Sequence, residues 1–255
     1  MSEPDQSITE SISAELRIGS ENIRFSVEIT NEPVHIHDLL PFFQRITDKV
    51  IEIGVKEAEQ QGKCISCKKG CGACCSQLVP VSRAEGYKLL NLIESMPASR
   101  QQVIKARFAH NTKALKDAGI LQMMDQAINN NDRKQLREVG VNYFKLNLPC
   151  PFLEDQSCSI HADRPLSCRE FLVTSDPVHC ADTNPETVES LALPKRISPI
   201  IYKMSRDLNE AGRGYLPLIQ ILDSAEALGA DQASEPAIDL IKQFLQNLTQ
   251  PGNGT

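Results

Sequence analysis

Residues 64–75 read Cys64-Ile65-Ser66-Cys67-Lys68-Lys69-Gly70-Cys71-Gly72-Ala73-Cys74-Cys75. Five of the chain's nine cysteines fall in these twelve positions, and no apolar periodicity runs through 63–80. Such a segment reads as a loop organised by something other than core burial. A C-x-x-C pair such as Cys64 and Cys67 sets two sulfurs on one side of a tight turn, ready for one metal ion. Gly70 and Gly72 supply turn conformations that other residues resist. They also let backbone N–H groups face sulfurs, as iron–sulfur centres require. Four thiolates on a divalent ion leave a charge of about −2. Lys63, Lys68 and Lys69 would offset that charge and depress the thiol pKa values; the bland alternative is a solvated loop with incidental lysines. The Cys74–Cys75 doublet suits a single tetrahedral ion poorly, because adjacent side chains diverge. Either one of the pair is structural, or the loop serves more than one metal atom.

The other four cysteines lie downstream. The run Leu148-Pro149-Cys150-Pro151-Phe152-Leu153 is followed by Cys158-Ser159-Ile160-His161, then by Arg164-Pro165, Cys168-Arg169-Glu170-Phe171 and His179-Cys180. A Cys followed by Pro is the ending of the bacterial ferredoxin run. His161, three residues past Cys158, is a candidate mixed-site ligand or a residue behind the ligands. Arg164 and Arg169 are candidates for hydrogen bonds to sulfurs or to loop carbonyls, against the alternative of surface ion pairs. Cys180 lies beyond the compact block. The metal candidates are therefore Cys64, Cys67, Cys71, Cys74, Cys75, Cys150, Cys158 and Cys168, with His161, Cys180, Arg164 and Arg169 as possible ligands or supports. Neither loop has enough apolar residues to fix itself, so the two are expected to converge on one metal region.

Around these loops the pattern is mostly helical. Leu16, Ile18, Ile23, Phe25, Val27 and Ile29 alternate about a break at Gly19-Ser20-Glu21-Asn22, which predicts a small hairpin. Asp38 is placed to cap a helix carrying Leu39, Phe43, Ile46, Val50 and Ile53 that stops at Gly62, with Pro41 tolerated in its first turn. Ser82 to Glu85 has capping-box spacing before a helix with Leu89, Leu90, Ile93 and Met96. Ser99 to Gln102 repeats that spacing ahead of a helix ending near Gly119. A shorter helix with Leu121, Met124 and Ile128 ends in Asn129-Asn130-Asn131. Asn184-Pro185-Glu186 reads as another helix start. Three further helices are predicted on Ile197 to Leu208, Leu218 to Leu228 and Ile238 to Leu248. The expected fold is mainly α with a small N-terminal β-hairpin, irregular Cys-rich loops packed on a helical domain. Its parts are a disordered tail at 1–13, the hairpin and first helix at 14–62, the cysteine region with a helical insert at 63–181, and C-terminal helices at 182–250 on the same domain. The tail from Pro251 is expected to be loose.

Composition narrows the function. With 41 % apolar residues the chain can build a core, and with 5 % aromatics and no Trp that core is aliphatic. A net charge of −6 disfavours a general nucleic-acid binder. Residues 100–138 carry eight Lys or Arg against four Asp or Glu, which reads as a solvated helical face or a contact for an acidic partner. No stretch approaches the ~20 apolar residues of a membrane span, and the polar start has no secretory signal. A reducing, cytoplasmic location is expected, where clustered thiols mean metal or redox chemistry rather than disulfides.

These residues resemble the YkgJ-type cysteine-cluster family, a zinc- or iron-chelating domain with a CxxCxxCC-like loop. Cys67, Cys71, Gly72, Cys74 and Cys75 match its first part. Cys150 to Leu153, Cys158, Ile160, Arg164, Pro165, Cys168, Arg169 and Phe171 match its second. The step from Cys67 to Cys71 is one residue longer than C-x-x-C, so Cys64 and Cys67 compete for the first ligand position. His161 stands where the family commonly has Tyr, which weakens a family ligand role for it. The resemblance covers about 64–180 and implies metal chelation without an agreed reaction.

Three functions compete. The first is a metal-binding protein holding iron, as an iron–sulfur cluster, or zinc; both suit thiolates, and the doublet and glycines tilt the choice toward iron–sulfur. The second is an iron–sulfur-dependent redox or methyl-transfer enzyme. Cys67, Cys71 and Cys74 have the CxxxCxxC spacing of radical SAM enzymes, but the flanking helices argue against that fold. The family resemblance extends to flagellin lysine methylases, yet no catalytic constellation supports methyl transfer. The third is a zinc-stabilised protein-interaction module whose partner the sequence does not name.

Overall fold

The alternation around Gly19-Ser20 folds as an antiparallel hairpin of β1 (Thr9–Ile18) and β2 (Glu21–Thr30). In this computed structural model the described residues are 9–30, 32–130, 132–181, 187–208, 214–230 and 233–250. Ile18, Ile23 and Ile29 are buried on one hairpin face. The other face carries the cross-strand pair Glu15–Arg24 at 2.8 Å and the Ser11, Ser13 and Ser26 hydroxyls. The strand begins at Thr9, ahead of the boundary expected at residue 14. Residues 1–8 of the expected tail lie outside the described residues.

β3 (Pro33–His35) leads through a 3-10 turn, Ile36–Leu39, into α1 (Leu40–Gln60). Asp38 caps that turn rather than the helix: its carboxylate accepts from the His35 N–H at 3.0 Å. α1 ends as read. Gly62 takes φ +75°, the Gly62 N–H bonds the Glu59 carbonyl at 2.9 Å, and the Lys63 N–H bonds that of Ala58 at 3.0 Å. This glycine-dependent stop satisfies the last carbonyls and turns the chain into Cys64.

After the first cysteine loop, β4 (Pro80–Ser82) starts α2 (Arg83–Ser95), followed by α3 (Ala98–Asp117), α4 (Ile120–Asn129) and α5 (Arg133–Lys145). The Ser82–Glu85 box forms. The box expected at Ser99 does not: α3 starts at Ala98, with Pro97 in the cap position and no side-chain cap. α5 is a helix not anticipated above. Asp132 caps it, accepting from the Lys134 and Gln135 N–H groups at 3.0 Å. Asn131 lies outside the described residues.

The second cysteine region holds β5 (Leu153–Glu154), β6 (Ser157–Cys158) and α6 (Leu166–Glu170). Then come α7 (Ser198–Asp207), β7 (Tyr215–Pro217), α8 (Ala225–Ala230), β8 (Ser234–Pro236) and α9 (Ala237–Thr249). The helix expected over Leu218 to Leu228 is instead a 3-10 turn, Leu218–Gln220, further turns and α8. The Leu218 N–H extends the pairing of β7 with β4, donating to the Val79 carbonyl at 2.8 Å. β8 pairs with β3. The helix start expected at Asn184-Pro185-Glu186 and the tail 251–255 lie outside the described residues. Among the described residues no helix is long and apolar enough to cross a membrane. The fold is mainly α with small antiparallel strand pairs.

Two apolar clusters form the interior. One packs the hairpin on α1, α7 and α9, with Phe42, Phe43 and Phe244 in mutual ring contact at 4.8–5.8 Å. The other packs α2, α3, α4 and α5 with Phe152 and Ile160. Leu166 belongs to the first cluster and Phe152 to the second, so the 150–168 block spans both. Two buried carboxylates fix that block. Glu85 accepts from the Ser82 N–H at 2.8 Å, the Ser82 hydroxyl at 2.7 Å and the Leu166 N–H at 2.6 Å. Glu170 accepts from the Ser198 N–H at 3.0 Å, the Ser198 hydroxyl at 2.6 Å and the Ile197 N–H, so it caps α7.

Burial pushes the Glu85 pKa above its ordinary value of 4.5. Replacing Glu85 by Ala removes a helix cap of about 1 kcal/mol and strands a buried N–H at about 1–3 kcal/mol. The expected loss is on the order of 3 kcal/mol in urea unfolding, against about 1 kcal/mol for Ser82→Ala. Because the folded pKa is raised, the Glu85 contribution is fullest below pH 4.5 and declines as the pH rises above it. The deficit of Glu85→Ala should shrink in the same direction.

Candidate metal centre

The first cysteine loop is tied at both ends. Ser66 donates its N–H to the Val173 carbonyl at 3.0 Å and its hydroxyl to the Thr174 carbonyl at 3.2 Å. The Cys71 N–H closes a turn onto the Lys68 carbonyl at 3.0 Å. Ala73–Ser76 then winds into a 3-10 turn, with the Cys75 N–H on the Gly72 carbonyl at 2.9 Å. That turn swings Cys74 and Cys75 toward the second loop.

The second loop meets it directly. The Cys150 N–H donates to the Cys75 carbonyl at 2.7 Å. The hairpin of β5 and β6 turns through Asp155 and Gln156, both at positive φ, and its tip rests on Gly72. A Cβ on Gly72 would stand 2.8 Å from Gln156 Oε1 and 2.9 Å from Leu153 Cδ1, so any larger residue there would push those two side-chain ends aside. α3 forms the wall behind. Asn111 donates to the Pro149 carbonyl at 2.8 Å, and Arg107 to the Pro151 carbonyl at 3.1 Å and to Glu154 at 3.0 Å. Arg100 also pairs with Glu154, and Phe108 packs edge-on against Phe152. Part of the positive excess read as a solvated face is thus spent inside the molecule, holding Cys150 in place. Arg100, Arg107 and Asn111 were not anticipated as site-forming. Their seven- and four-residue spacing on one helix face was the available signal.

All nine cysteines are free thiols, and Cys74 is the common neighbour of most of them. Its thiol is hydrogen-bonded with that of Cys75. Cys67, Cys150, Cys158, Cys168 and Cys180 all lie close enough that ionising Cys74 would raise their pKa values. Cys71 acts on Cys67 and Cys180, and Cys150 and Cys158 act on Cys168. The two loops therefore converge, as their lack of apolar residues predicts. Cys180, which sequence spacing left at the margin, is buried among them. It arrives there because the Val173–Ser190 bridge and the Pro177–Ala181 turn fold the chain back. Cys64 is exposed and takes no part in these interactions among the described residues.

The electrostatics are those of crowded neutral thiols. The hydrogen bond with Cys75, then burial, pushes the Cys74 pKa far above the ordinary thiol range. Burial raises Cys150 to about 12 and Cys180 to about 11. It also raises Cys67, Cys158 and Cys168. The opposing cation is Arg164, which acts on Cys67, Cys74, Cys158 and Cys168. The lysines expected in that role point elsewhere: Lys63 pairs with Glu189, and Lys68 and Lys69 are exposed. Arg169 bonds loop carbonyls, not sulfurs. Its Nε donates to the Arg164 carbonyl at 3.0 Å, one terminal nitrogen donates to the Ala162 carbonyl, and the other reaches Asp48 at 3.2 Å. His161 is exposed, and the Arg164 charge holds its pKa down.

Soft, reduced sulfurs in this number fit a thiophilic metal. Among the described residues, no three Cys, His, Asp or Glu side chains already stand in an arrangement that holds an ion. The fit is one of donor type, donor number and shared location. Alkylation tests this picture, because only the thiolate reacts. A thiol with a pKa of about 12 is ionised to about one part in ten thousand at pH 8. In reduced, metal-free protein iodoacetamide should modify Cys64 first. Cys150, Cys168 and Cys180 should react last, at rates still rising above pH 9. Even labelling of all nine would contradict the packing.

Comparison with known proteins agrees with the geometry. Residues 66–188 match the model of the CxxCxxCC family, described as a putative zinc- or iron-chelating domain. No curated protein and no solved structure matches the chain. The matched stretch starts past Cys64 and contains all eight of the other cysteines. Those eight thiols, the two loops that carry them and the α3 wall behind them all lie within the stretch that is similar to the CxxCxxCC family.

Proposed function

We propose that this protein binds zinc or iron through thiolates drawn from both loops, in a reducing cytoplasmic compartment. The observation that carries the reading is the gathering of thiols around Cys74. Cys67, Cys71, Cys74, Cys75, Cys150, Cys158, Cys168 and Cys180 supply more sulfurs than one tetrahedral ion takes. The reading is therefore a centre of more than one metal atom, an iron–sulfur cluster first and neighbouring zinc ions second. A bound metal would supply electron transfer in the first case and cross-linking of the loops in the second.

The chain's own part is to collect the donors and release their protons. Raised thiol pKa values mean that the empty site holds its protons, so binding is coupled to deprotonation. The last closure of sulfurs around the metal comes with that step. Cys64, outside the gathering, is assigned no ligand role, and His161 is assigned to the arginines rather than to the metal. An interaction module is less well supported, since Arg100 and Arg107 are engaged within the fold.

Untagged protein purified without oxygen should carry stoichiometric metal by elemental analysis. Brown colour with acid-labile sulfide identifies iron–sulfur, and colourless protein with zinc identifies thiolate-held ions. Cys74→Ser should lose most of the metal and unfold at lower temperature, since a metal at 1,000 times its Kd adds about 4 kcal/mol to stability. Cys64→Ser should keep both. Full metal retention by Cys74→Ser would overturn the assignment.

A further inference from the structure

Two arginines border the thiols, and their surroundings differ. Every nitrogen of Arg169 has an oxygen partner: the Arg164 carbonyl, the Ala162 carbonyl and the Asp48 carboxylate. Arg169 is a staple across the 161–169 turn. Arg164 is what it staples, for the carbonyl it grips is that of Arg164 itself. The Arg164 Nε is buried and has no hydrogen-bond partner. Among the described residues no carboxylate pairs with Arg164. A buried N–H of a charged group without an acceptor is expensive, and the neighbouring backbone holds it in place. Arg164 follows the His161–Asp163 turn and precedes buried Pro165 and Leu166. The Glu85 carboxylate clamps the Leu166 N–H. Backbone on both sides is pinned, and the guanidinium lies close enough to Cys67, Cys74, Cys158 and Cys168 to act on each of them.

We propose that Arg164 is the internal counter-cation of the metal centre, its buried Nε–H held for a metal-bound thiolate sulfur. The inference rests on the metal-binding reading above and extends it to a residue that is not a ligand. Thiolates on a divalent ion carry excess negative charge, and one guanidinium inside the basin offsets part of it where solvent screening is weak. Charge-assisted N–H donation to the sulfur also lowers its donor level, as hydrogen bonds to cluster sulfurs do. Cys67, Cys74, Cys158 and Cys168 are the thiols whose charge Arg164 opposes. They come from both loops, so one cation serves the shared centre rather than either half.

The test uses the full chain as wild type, Arg164→Met and Arg164→Lys, each loaded without oxygen with Zn2+ or Co2+. Methionine keeps the buried bulk and removes charge and donors. Zn2+ affinity in competition with a chromophoric chelator should fall at least tenfold in Arg164→Met. The thiolate-to-Co2+ charge-transfer band should move to longer wavelength, a signature that a packing role would not produce. Arg164→Lys should recover part of the affinity while the band stays shifted, since charge is restored without the Nε–H. Unchanged affinity and band in Arg164→Met would overturn the proposal. If Arg164→Met does not fold by circular dichroism, Arg164→Lys decides: a match to wild type in both readouts overturns the Nε–H contact. Wild-type protein that binds neither metal would overturn the metal-binding reading itself, a different failure.

Discussion

Thiols crowded away from water must keep their protons, because each one that ionises raises the cost of ionising the next. The rest of this structure follows from that constraint. Cysteines from two distant stretches can share one basin without a metal only as neutral groups, and their raised pKa values express it. A cation then changes the ground rules. A metal replaces several protons at once, and the repulsion that kept the thiols neutral becomes attraction to a common charge. Arg164 is the part of that compensation already built into the chain.

Neutral thiols attract one another weakly, so the scaffold must do the gathering. It does so with oxygen and nitrogen, not sulfur. Asn111 and Arg107 on α3 hold the carbonyls that flank Cys150. Glu85 joins the start of α2 to the start of α6, which carries Cys168. Ser66 pins the first loop to the stretch that leads to Cys180. Each of these contacts involves a backbone group, which fixes the chain path and leaves the thiol side chains free to adjust. The exposed ion pairs elsewhere, such as Lys49–Glu52 and Lys113–Asp117, contribute little by comparison.

What the sequence made legible were features that a single element declares about itself. Alternation marks the face of β1 and β2, three- and four-residue spacing marks α1, and the Ser82–Glu85 pair marks the start of α2. Cysteine density marks both loops, and their shortage of apolar residues requires outside support. What stayed hidden depends on which element faces which. β4 and β7 are three residues each, too short for a period, and they exist because they pair. Leu218 to Leu228 has helical spacing, but that pairing continues into Leu218, whose N–H goes to Val79. Of α5's apolar residues only Val139 and Tyr143 are buried, and its positive surface obscures them. Cys180 joins the basin, and Cys64 leaves it, through long-range folding that spacing along the chain does not encode.

The ladder between β4 and β7 sets an order of events in time. Pro80 pairs with Pro217 and Ser82 with Tyr215, so the strand at the exit of the first cysteine loop finds its partner only after some 130 further residues are made. At 5–20 residues per second that delay is on the order of ten seconds on the ribosome. Until α6 is made the five thiols of residues 64–75 lack the second cysteine loop, and until β7 is made their exit strand lacks its partner. A nascent chain of this design is most vulnerable to oxidants and stray metals before it is finished. Completion of the C-terminal third is what takes those sulfurs out of circulation.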